Sequence, residues 1–471
     1  MAKKINYQNL EKKLKFERRN CWEVWSGNKT KKAFAFCEDY KKFLDQAKTE
    51  REAVRAGIKI AQKNGFKEIG QCKTLKAGDK VYAVNRDKNL ILTVVGKKLL
   101  GNGFKLIMSH IDSPRLDLKV QPLYEDENLA FLKTHYYGGI KKYHWPTIPL
   151  ALHGAIVLEN GKKADIKIGE DDNDPIFMIT DLLPHLAKKQ LKKPLEEAIA
   201  GEELNILVGS VPVADKEIKE KVKLAILKHI NKTYGMAEED FVSADIQAVP
   251  AACSRDIGFD RSMIAGYGQD DKVCAYPSLS AICDVKLSDK TQICLWIDRE
   301  EIGSEGATGA QSIFFENFIA RILELSGSDS NIKNVYQVFS KSQALSSDVT
   351  AAIDPDYKEV SDPRNSAKLG YGVAVEKYTG HRGKSGASEA SAEYAQKIRK
   401  ILNNNKIIWQ TDELGKIDEG GGGTIAMFMA KRNIDIIDMG VALFNMHAPL
   451  EIASKADIYC SFLAYKAFFK E

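Results

Sequence analysis

The sequence predicts an α/β protein whose mainly parallel sheet is interrupted by an inserted β-rich segment. Three observations predict this fold. Residues 1–65 carry helical patterns, strands and helices alternate from residue 258 onward, and the segment 115–253 mixes short strands, turns and charge. Alternation of strands and helices is typical of an open parallel sheet covered by helices. A chain of 471 residues has room for more than one domain.

The elements of the first half follow from their apolar spacing. Residues 33–65 place apolar side chains at helical intervals and end at a glycine, which predicts helices. The runs "KVYAVNR", "NLILTVVG" and "GFKLIMSHIDSP" are short, apolar and bounded by turn residues, so they predict strands. In "IVLENGKKADIKI", Asn160-Gly161 separates two apolar runs and predicts a hairpin.

The second half predicts an alternating series of strands and helices. Helices are expected at 308–327, 386–405 and 454–471. Strands are expected at 291–298, 334–340, 371–378, 406–410 and 433–443. We therefore predict one discontinuous domain, 1–114 with 254–471, and a β-rich insert, 115–253.

Charge and composition exclude several functions. The net charge of +5 is small against 69 basic and 64 acidic residues, and the basic residues are scattered rather than grouped into a nucleic-acid-binding face. No apolar run reaches the ~18 residues of a membrane span, and the first residues lack a secretory signal. The eight cysteines are spread without a C-x-x-C pair, which favours free thiols and a cytoplasmic location.

Polar residues follow several predicted strands, where ligands collect in open α/β sheets. They are two histidines and seven carboxylates: His110, Asp112, Asp270, Asp271, Asp298, Glu300, Glu301, Asp348 and His447. Imidazole and carboxylate suit zinc, and two metals can share a bridging carboxylate. An aspartate of "QDD" would bridge. His110 would bind one metal with Asp348 or Glu301, and His447 the second metal with the other carboxylate.

Two of these acidic residues, which are not needed as ligands, have other possible roles. Glu300 is free to act as a base toward an activated water, and Asp112 is placed to hold the other nitrogen of His110. Each residue also has an ordinary interpretation. Ser347-Asp348 before "VTAAI" resembles a helix N-cap, and adjacent glutamates are commonly a solvated face. Several such signals in one α/β pattern favour the metal site.

At these residues the sequence resembles the aspartyl aminopeptidase (aminopeptidase I) family of dinuclear zinc exopeptidases, in its bacterial branch. The matching pieces, in family order, are "SHIDSPRLDLK", "GQDD", "DREEIGSEGATGA", "SSDVTAAIDP" and "MGVALFNMHAPLEIASKADI". They span residues 109–458. The resemblance implies a zinc-exopeptidase domain carrying an inserted dimerisation domain, and twelve subunits assembled as a shell.

The resemblance also implies roles for individual residues. The metal ligands would be His110, Asp270, Glu301, Asp348 and His447, with Glu300 as general base and Asp112 orienting His110. Asp271 would stand where the family usually has asparagine. His185, in "LLPHLAKK", resembles a histidine that the insert sends into a neighbouring subunit's site. Two Zn²⁺ per subunit are implied, with Co²⁺ or Mn²⁺ as alternatives.

The expected reaction is removal of the N-terminal residue of peptides by a water that two metals activate. An acidic N-terminal residue is the family's preference, but two features depart from it. "VTAAID" lacks a histidine that acid-specific members have, and Lys377 is only an approximate candidate for their substrate-binding lysine. The rival functions are a dinuclear amidohydrolase of acylated amino acids and an inactive shell-forming relative. A nucleic-acid role is disfavoured.

Overall fold

The structure is a computed structural model that describes residues 6–471. In that range we number eleven α-helices in chain order. They are α1 Tyr7–Leu14, α2 Cys21–Val24, α3 Gly27–Gln46, α4 Glu50–Lys63, α5 Lys221–Tyr234, α6 Gln269–Cys283, α7 Phe314–Leu325, α8 Ile332–Phe339, α9 Ala392–Asn404, α10 Ala426–Ala430 and α11 Lys455–Lys470.

The strands of the described range are numbered in the same way. They are β1 Lys67–Glu68, β2 Lys80–Asn85, β3 Asn89–Val94, β4 Phe104–His110, β5 Arg115–Asp126, β6 Leu129–Tyr137, β7 Leu150–Val157, β8 Lys163–Ile168, β9 Met178–Ile179, β10 Ile206–Gly209, β11 Ala244–Pro250, β12 Arg255–Ile257, β13 Met263–Gly266, β14 Thr291–Ile297, β15 Gln343–Ser346, β16 Thr350–Ala351, β17 Val373–Glu376, β18 Gly380–His381, β19 Trp409–Thr411, β20 Gly421–Gly422, β21 Asp435–Gly440, β22 Ala442–Phe444 and β23 Glu451–Ser454.

The largest sheet has nine strands in the order β1-β2-β3-β14-β4-β15-β21-β17-β19. Its central strands β14, β4, β15 and β21 are all parallel, whereas β3 and β17 join them antiparallel. The predicted α/β class with a mainly parallel sheet is confirmed. Parallel strands end at the same edge, so the residues after β14, β4 and β15 share one side of the sheet.

Helices cover both faces of this sheet. Along β4, Ile107 packs into a core built with α3, α4, α6, α9 and α11, whereas Leu106 and Met108 pack into a second core with α7, α8 and α10. This alternation is the two-residue period of a strand buried on both faces. The two cores therefore bury both faces of the sheet and leave its carboxyl edge free to carry polar side chains.

The second sheet lies within the range predicted for the insert. Its seven strands run in the order β8-β7-β11-β5-β6-β10-β9, and every pairing is antiparallel. It has a core of its own, to which α5 contributes Val222. The predicted hairpin is confirmed, because β7 and β8 pair around the turn that holds Asn160 and Gly161.

A third sheet has the strand order β12-β13-β23-β22-β16 and holds the strands that lead to Asp270 and His447. Strand β13 leads into α6, and β22 leads into the loop that carries His447. Helices were expected within residues 1–65, and the structure has four there, α1 to α4, from Tyr7 onward; residues 1–5 lie outside the described range. No helix of the described chain is long and apolar enough to cross a membrane.

Two local predictions are wrong. Residues 334–340 were expected to form a strand, but they lie in α8, because Val335, Val338 and Phe339 bury one helical face and Asn331 caps the first turn. The strand of this region is β15, a few residues later. The alternative interpretation of Asp348 as the cap of a helix also fails, since Thr350 and Ala351 form β16, parallel to β22.

Candidate metal centre

Three parallel strands bring polar and acidic side chains to one edge of the nine-stranded sheet. His110 is the last residue of β4, and it aligns with Ile297, the last residue of β14. Asp348 follows β15 by two residues, and its backbone passes close to β21. A Cβ at Gly440 would lie 1.7 Å from the carbonyl oxygen of Asp348, so only glycine permits this approach.

Asp270 lies between the two histidines. Its Oδ1 is 3.0 Å from Nε2 of His110, and its Oδ2 is 3.2 Å from Nε2 of His447. The aspartate is buried at the start of α6. One carboxylate therefore faces two imidazoles, one with each oxygen.

A further carboxylate flanks each histidine. Oδ1 of Asp348 is 3.7 Å from Nε2 of His110, and Oε2 of Glu301 is 3.6 Å from Nε2 of His447. The sequence left open which carboxylate accompanies which histidine, and these distances favour one pairing. The two half-sites are His110 with Asp348 and His447 with Glu301, and Asp270 is common to both.

The carboxylate of Asp271 also lies near His110 and Asp348. Ligand atoms of His110, Asp271 and Asp348 lie within 4.8 Å of one another, as do those of His110, Asp270 and Glu301. Both carboxylate oxygens of Asp271 are buried without a hydrogen-bond partner among the described residues. Burial raises the pKa of Asp271 well above its usual range, and the nearby carboxylate of Asp348 raises it further.

The imidazole of His110 is oriented through Nδ1. This nitrogen lies 3.0 Å from the backbone carbonyl oxygen of Asp112 and 3.4 Å from its Oδ1. Both are acceptors, so Nδ1 donates to them, and this leaves Nε2 facing Asp270. The Asp112 carboxylate is itself held by the backbone N–H groups of Glu300 and Glu301, each at 3.2 Å.

The imidazole of His447 is oriented in the same way by the insert. Its Nδ1 lies 2.9 Å from the carbonyl oxygen of Gly139, just beyond β6. Glu451 fixes the backbone around it, accepting from the N–H of His447 at 2.9 Å and from that of Asp270 at 3.1 Å. Gly139 and Glu451 were not predicted from the sequence, since neither follows a strand in the predicted sheet.

Glu300 lines the cavity beside these groups without lying in either half-site. It begins a short 3-10 turn, Glu300–Ile302, after β14. Burial raises its pKa to about 7. Asp298, the other acidic residue of this segment, is buried and accepts from the Thr308 hydroxyl at 2.6 Å, so it stabilises the turn.

The site opens into a cavity of about 460 Å³. Its floor contains His110, Asp270, Glu301, Asp348 and His447. Its wall comes from β16, the end of β17 and two loops, 378–384 and 413–424. This space suits the end of a peptide rather than the middle of a folded chain.

Two residues singled out from the sequence lie elsewhere. His185 is exposed and does not line the cavity of its own chain. Lys377 is half exposed, pairs with Glu389 at 3.5 Å, and is also absent from the cavity lining. In this chain the charged partner of Lys377 is therefore a surface carboxylate.

The donor set fits zinc. Nε2 of each histidine faces carboxylate oxygens at close range, and this arrangement needs a proton or a cation between the nitrogen and the oxygens. Oδ1 of Asp270 and Oε1 of Glu301 are buried with no hydrogen-bond partner in the described chain, a costly state that metal coordination relieves. Nitrogen and carboxylate ligands with a cavity alongside are those of a catalytic zinc site.

A parallel α/β sheet with this cluster at its carboxyl edge defines a metal-dependent hydrolase. The chain belongs to the M18 family, the aminopeptidase I zinc metalloproteases, whose family model matches residues 43–469. It is a zinc metallo-aminopeptidase, and the resemblance noted in its motifs is confirmed.

Named relatives cover nearly the whole chain. A probable M18 family aminopeptidase 1 of Clostridium acetobutylicum is 52% identical, over 96% of this chain and 98% of its own length. The crystal structure of an M18 aminopeptidase from Thermotoga maritima matches with a TM-score of 0.94 and 44% identity, covering 97% of this chain and all of that one. The S. cerevisiae mApe1 dodecamer shares the fold, with 18% identity and a TM-score of 0.74 over 94% and 97% of the two chains.

Proposed function

We propose that the site binds two zinc ions and hydrolyses the N-terminal peptide bond of short peptides. His110 and Asp348 would hold one ion, His447 and Glu301 the other, and Asp270 both. The main support for this proposal is that the two oxygens of Asp270 face different histidines, at 3.0 and 3.2 Å. Co²⁺ and Mn²⁺ accept the same ligands and are alternatives in vitro.

Glu300 is the proposed general base. Zinc bound at this site would polarise the scissile carbonyl and acidify water. Glu300 takes a proton from the attacking water and passes it to the leaving amine. Its position supports this role, since it lines the cavity next to both half-sites but contributes to neither.

Asp112 is the proposed orienting residue for His110. It accepts a hydrogen bond from Nδ1 of that imidazole and is anchored by the backbone at the start of the Glu300 turn. A shift of the turn would therefore shift the imidazole with it. This coupling keeps the base and one half-site in a constant relation.

We also propose that residues 115–253 form an inserted dimerisation domain and that His185 enters the neighbouring subunit's site. The segment around His185 exposes three leucines, Leu182 at 52%, Leu183 at 51% and Leu186 at 68%. A cluster of exposed apolar side chains is typical of an interface. Dimers assembled into a dodecamer, the state named for the yeast relative, are the proposed homo-oligomer.

A reducing compartment, the cytoplasm, is the proposed location. All eight cysteines are free thiols. Cys21 and Cys460 lie buried with their sulfurs 3.7 Å apart and unbonded. Thiols this close persist where the environment keeps them reduced.

The test is Glu300→Gln in the zinc-loaded protein, assayed on aminoacyl-p-nitroanilides. We expect kcat to fall on the order of 10²–10⁴-fold while zinc content and thermal midpoint stay at the unmodified values. Glu305→Gln is the matched control, because Glu305 is exposed on the same loop and contacts only Gln311 among side chains. Near-normal kcat in Glu300→Gln with zinc bound would reject Glu300 as the base.

A further inference from the structure

One wall of the substrate cavity carries a pair of carboxyl groups that the proposed mechanism does not use. Glu376, the last residue of β17, lines the cavity and is partly exposed to it. Val375 pairs with Thr411 in the sheet, and the backbone N–H of Asp412 donates to the carbonyl oxygen of Val375, so Glu376 lies beside Asp412, which is buried. In the described chain neither residue forms a hydrogen bond or ion pair with His110 or His447, whose partners are Asp270, Asp348 and Glu301.

The hydrogen bonds of Asp412 indicate how the pair is held. One oxygen of Asp412 accepts from the Thr350 hydroxyl and the other from the backbone N–H of Ala367. An aspartate with both oxygens accepting is held as a carboxylate acceptor. Glu376 can lie against it only with a proton or a cation between the two groups.

Within residues 6–471 Glu376 forms no ion pair with a cationic side chain, and its neighbour Lys377 pairs with Glu389 instead. The charged groups that most affect its pKa are Asp412 and Asp438, both acidic, and together with burial they raise the pKa well above its usual range. The β-sheet register places Asp438 directly beside Glu376. The carboxyl pair is therefore a buried region of negative potential that opens into the cavity.

The cations of the cavity rim are exposed, and two of them have partners. Lys384 lies 3.8 Å from the centre of the Tyr378 ring and 3.2 Å from Glu389. Lys416 donates to the carbonyl oxygen of Glu359. Arg382 is exposed at the mouth. Solvent and salt screen such charges much more than they screen a buried carboxyl.

A second, independent observation also indicates a ligand at this wall. The hydroxyl of Thr379 is buried, has no hydrogen-bond partner within residues 6–471, and lines the same cavity. A buried hydroxyl without a partner calls for one, such as a water, an ion or a bound group. It can accept an N–H, as Glu376 can, three residues away in the chain.

The sheet sets the distance between this wall and the metal centre. Glu376 aligns with Asp438, which aligns with Ser346, two residues before Asp348. Two strand spacings separate Glu376 from that strand, roughly 10 Å. A long side chain can cross much of this gap when its α-amine lies at the metal centre, whereas a short one cannot.

We propose that Glu376, supported by Asp412, recognises a cationic side chain on the N-terminal residue of the substrate. This proposal rests on the aminopeptidase function proposed above. It names lysine and arginine as the preferred N-terminal residues. An acidic N-terminal residue, the preference of the family's acid-specific members, would place a third carboxylate against the pair.

Two other roles for Glu376 make different predictions. If it binds the α-ammonium, which every substrate has, its loss would lower kcat/KM equally for all N-terminal residues. If it only holds β17 beside β16, its loss would lower the thermal midpoint without changing the order of substrates. Selectivity, rather than activity alone, is therefore the measurement that decides.

The first experiment compares kcat/KM for Lys-, Arg-, Leu- and Asp-p-nitroanilide in the zinc-loaded protein. We expect Lys and Arg to exceed Leu by about 10- to 100-fold, the usual effect of one hydrogen bond to a charged group, with Asp lowest. In Glu376→Gln the Lys/Leu ratio should fall by a similar factor. Glu389→Gln, which removes an exposed carboxylate outside the cavity, should keep the unmodified ratio.

The second experiment needs no substitution in the wall. Calorimetry on zinc-loaded Glu300→Gln measures binding of the dipeptides Lys-Ala, Leu-Ala and Asp-Ala, and we expect Lys-Ala to bind most tightly. Leu-Ala or Asp-Ala binding as tightly as Lys-Ala, or a Lys/Leu ratio that Glu376→Gln leaves unchanged, would overturn the recognition role. If Glu300→Gln still turns substrates over, the proposed base is wrong, and the substrate order is read from turnover instead.

Discussion

The hydroxyl of Tyr137 donates a 2.8 Å hydrogen bond to Oδ2 of Asp112. Tyr137 is the last residue of β6, in the second sheet, whereas Asp112 follows the central strand of the first. The guanidinium of Arg115 stacks on the tyrosine ring at 3.7 Å and fixes it from the other side. A side chain of the second sheet thus reaches the group that orients His110.

Tyr137→Phe should therefore weaken the site without removing any proposed ligand. We expect zinc affinity or kcat to fall about 10- to 100-fold, as for other lost partners of a ligand-orienting group. Chelator competition measures the affinity and a p-nitroanilide assay the kcat. Tyr136→Phe is the matched control, because Tyr136 is 45% exposed and donates to no protein acceptor in the described chain. Equal effects of the two substitutions would contradict the role of Tyr137.

Asp270→Ala should empty both half-sites, whereas His110→Ala should empty mainly one. The reason is that Asp270 faces both histidines and His110 belongs to one half-site. Zinc per subunit, measured by plasma mass spectrometry after gel filtration, should be near zero in the first variant and near one in the second. Asp271→Ala is the comparison. If it loses both zinc ions while Asp270→Ala keeps them, the bridge is Asp271.

His185→Ala should lower kcat about 10²–10³-fold, the cost of losing one oxyanion donor, with zinc content unchanged. Mixing its subunits with Glu300→Gln subunits should restore part of the activity, because some sites then combine an intact His185 with an intact Glu300. His229→Ala, an exposed histidine of α5, controls for loss of an imidazole from the insert. Full activity in His185→Ala would end this proposal, and loss without rescue would place His185 in its own subunit's site.

Lys105 should make stability depend on pH. Burial lowers its pKa from 10.5 to about 7, and neighbouring Lys397 adds to the effect. Between these two pH values the unfolded chain binds more protons than the folded one, so this group's contribution makes the free energy of unfolding rise with pH. The slope from one proton is at most about 1.4 kcal/mol per pH unit.

The measurement compares Lys105→Met with the unmodified protein at pH 7, 8 and 9, both stripped of metal. Contributions of other groups cancel in the comparison, so the rise of the unfolding midpoint with pH should be smaller in the variant. Lys466→Met, which removes an exposed lysine from α11, should leave the rise intact. A variant with the same pH dependence as the unmodified protein would show that Lys105 is already charged in the fold.

Much of the candidate site could be predicted because it follows from the order of strands. His110 ends one strand of a parallel sheet, and Glu301 and Asp348 come shortly after two others; parallel strands bring such positions together. Asp270 and His447 were placed by the same argument, although they leave a smaller sheet. The cluster thus depends on local patterns that the sequence displays.

The groups that orient the site could not be predicted in this way. Gly139 acts through a backbone carbonyl, which any residue possesses, and Glu451 is a glutamate at the start of a strand with no local signal of its role. The helix α8 was missed for a related reason. It is short and rich in β-branched and aromatic residues, and its helical spacing becomes decisive only when a core exists on one side.

The contact between His447 and Gly139 joins residues 308 positions apart in the chain. During synthesis, Gly139 leaves the ribosome long before His447 does, at about 5–20 residues per second. If His447 holds zinc as proposed, a growing chain carries no complete metal centre until nearly all of the residues described here have been made. On that assignment, partly made subunits do not trim neighbouring nascent chains, and activity begins only with a finished sheet.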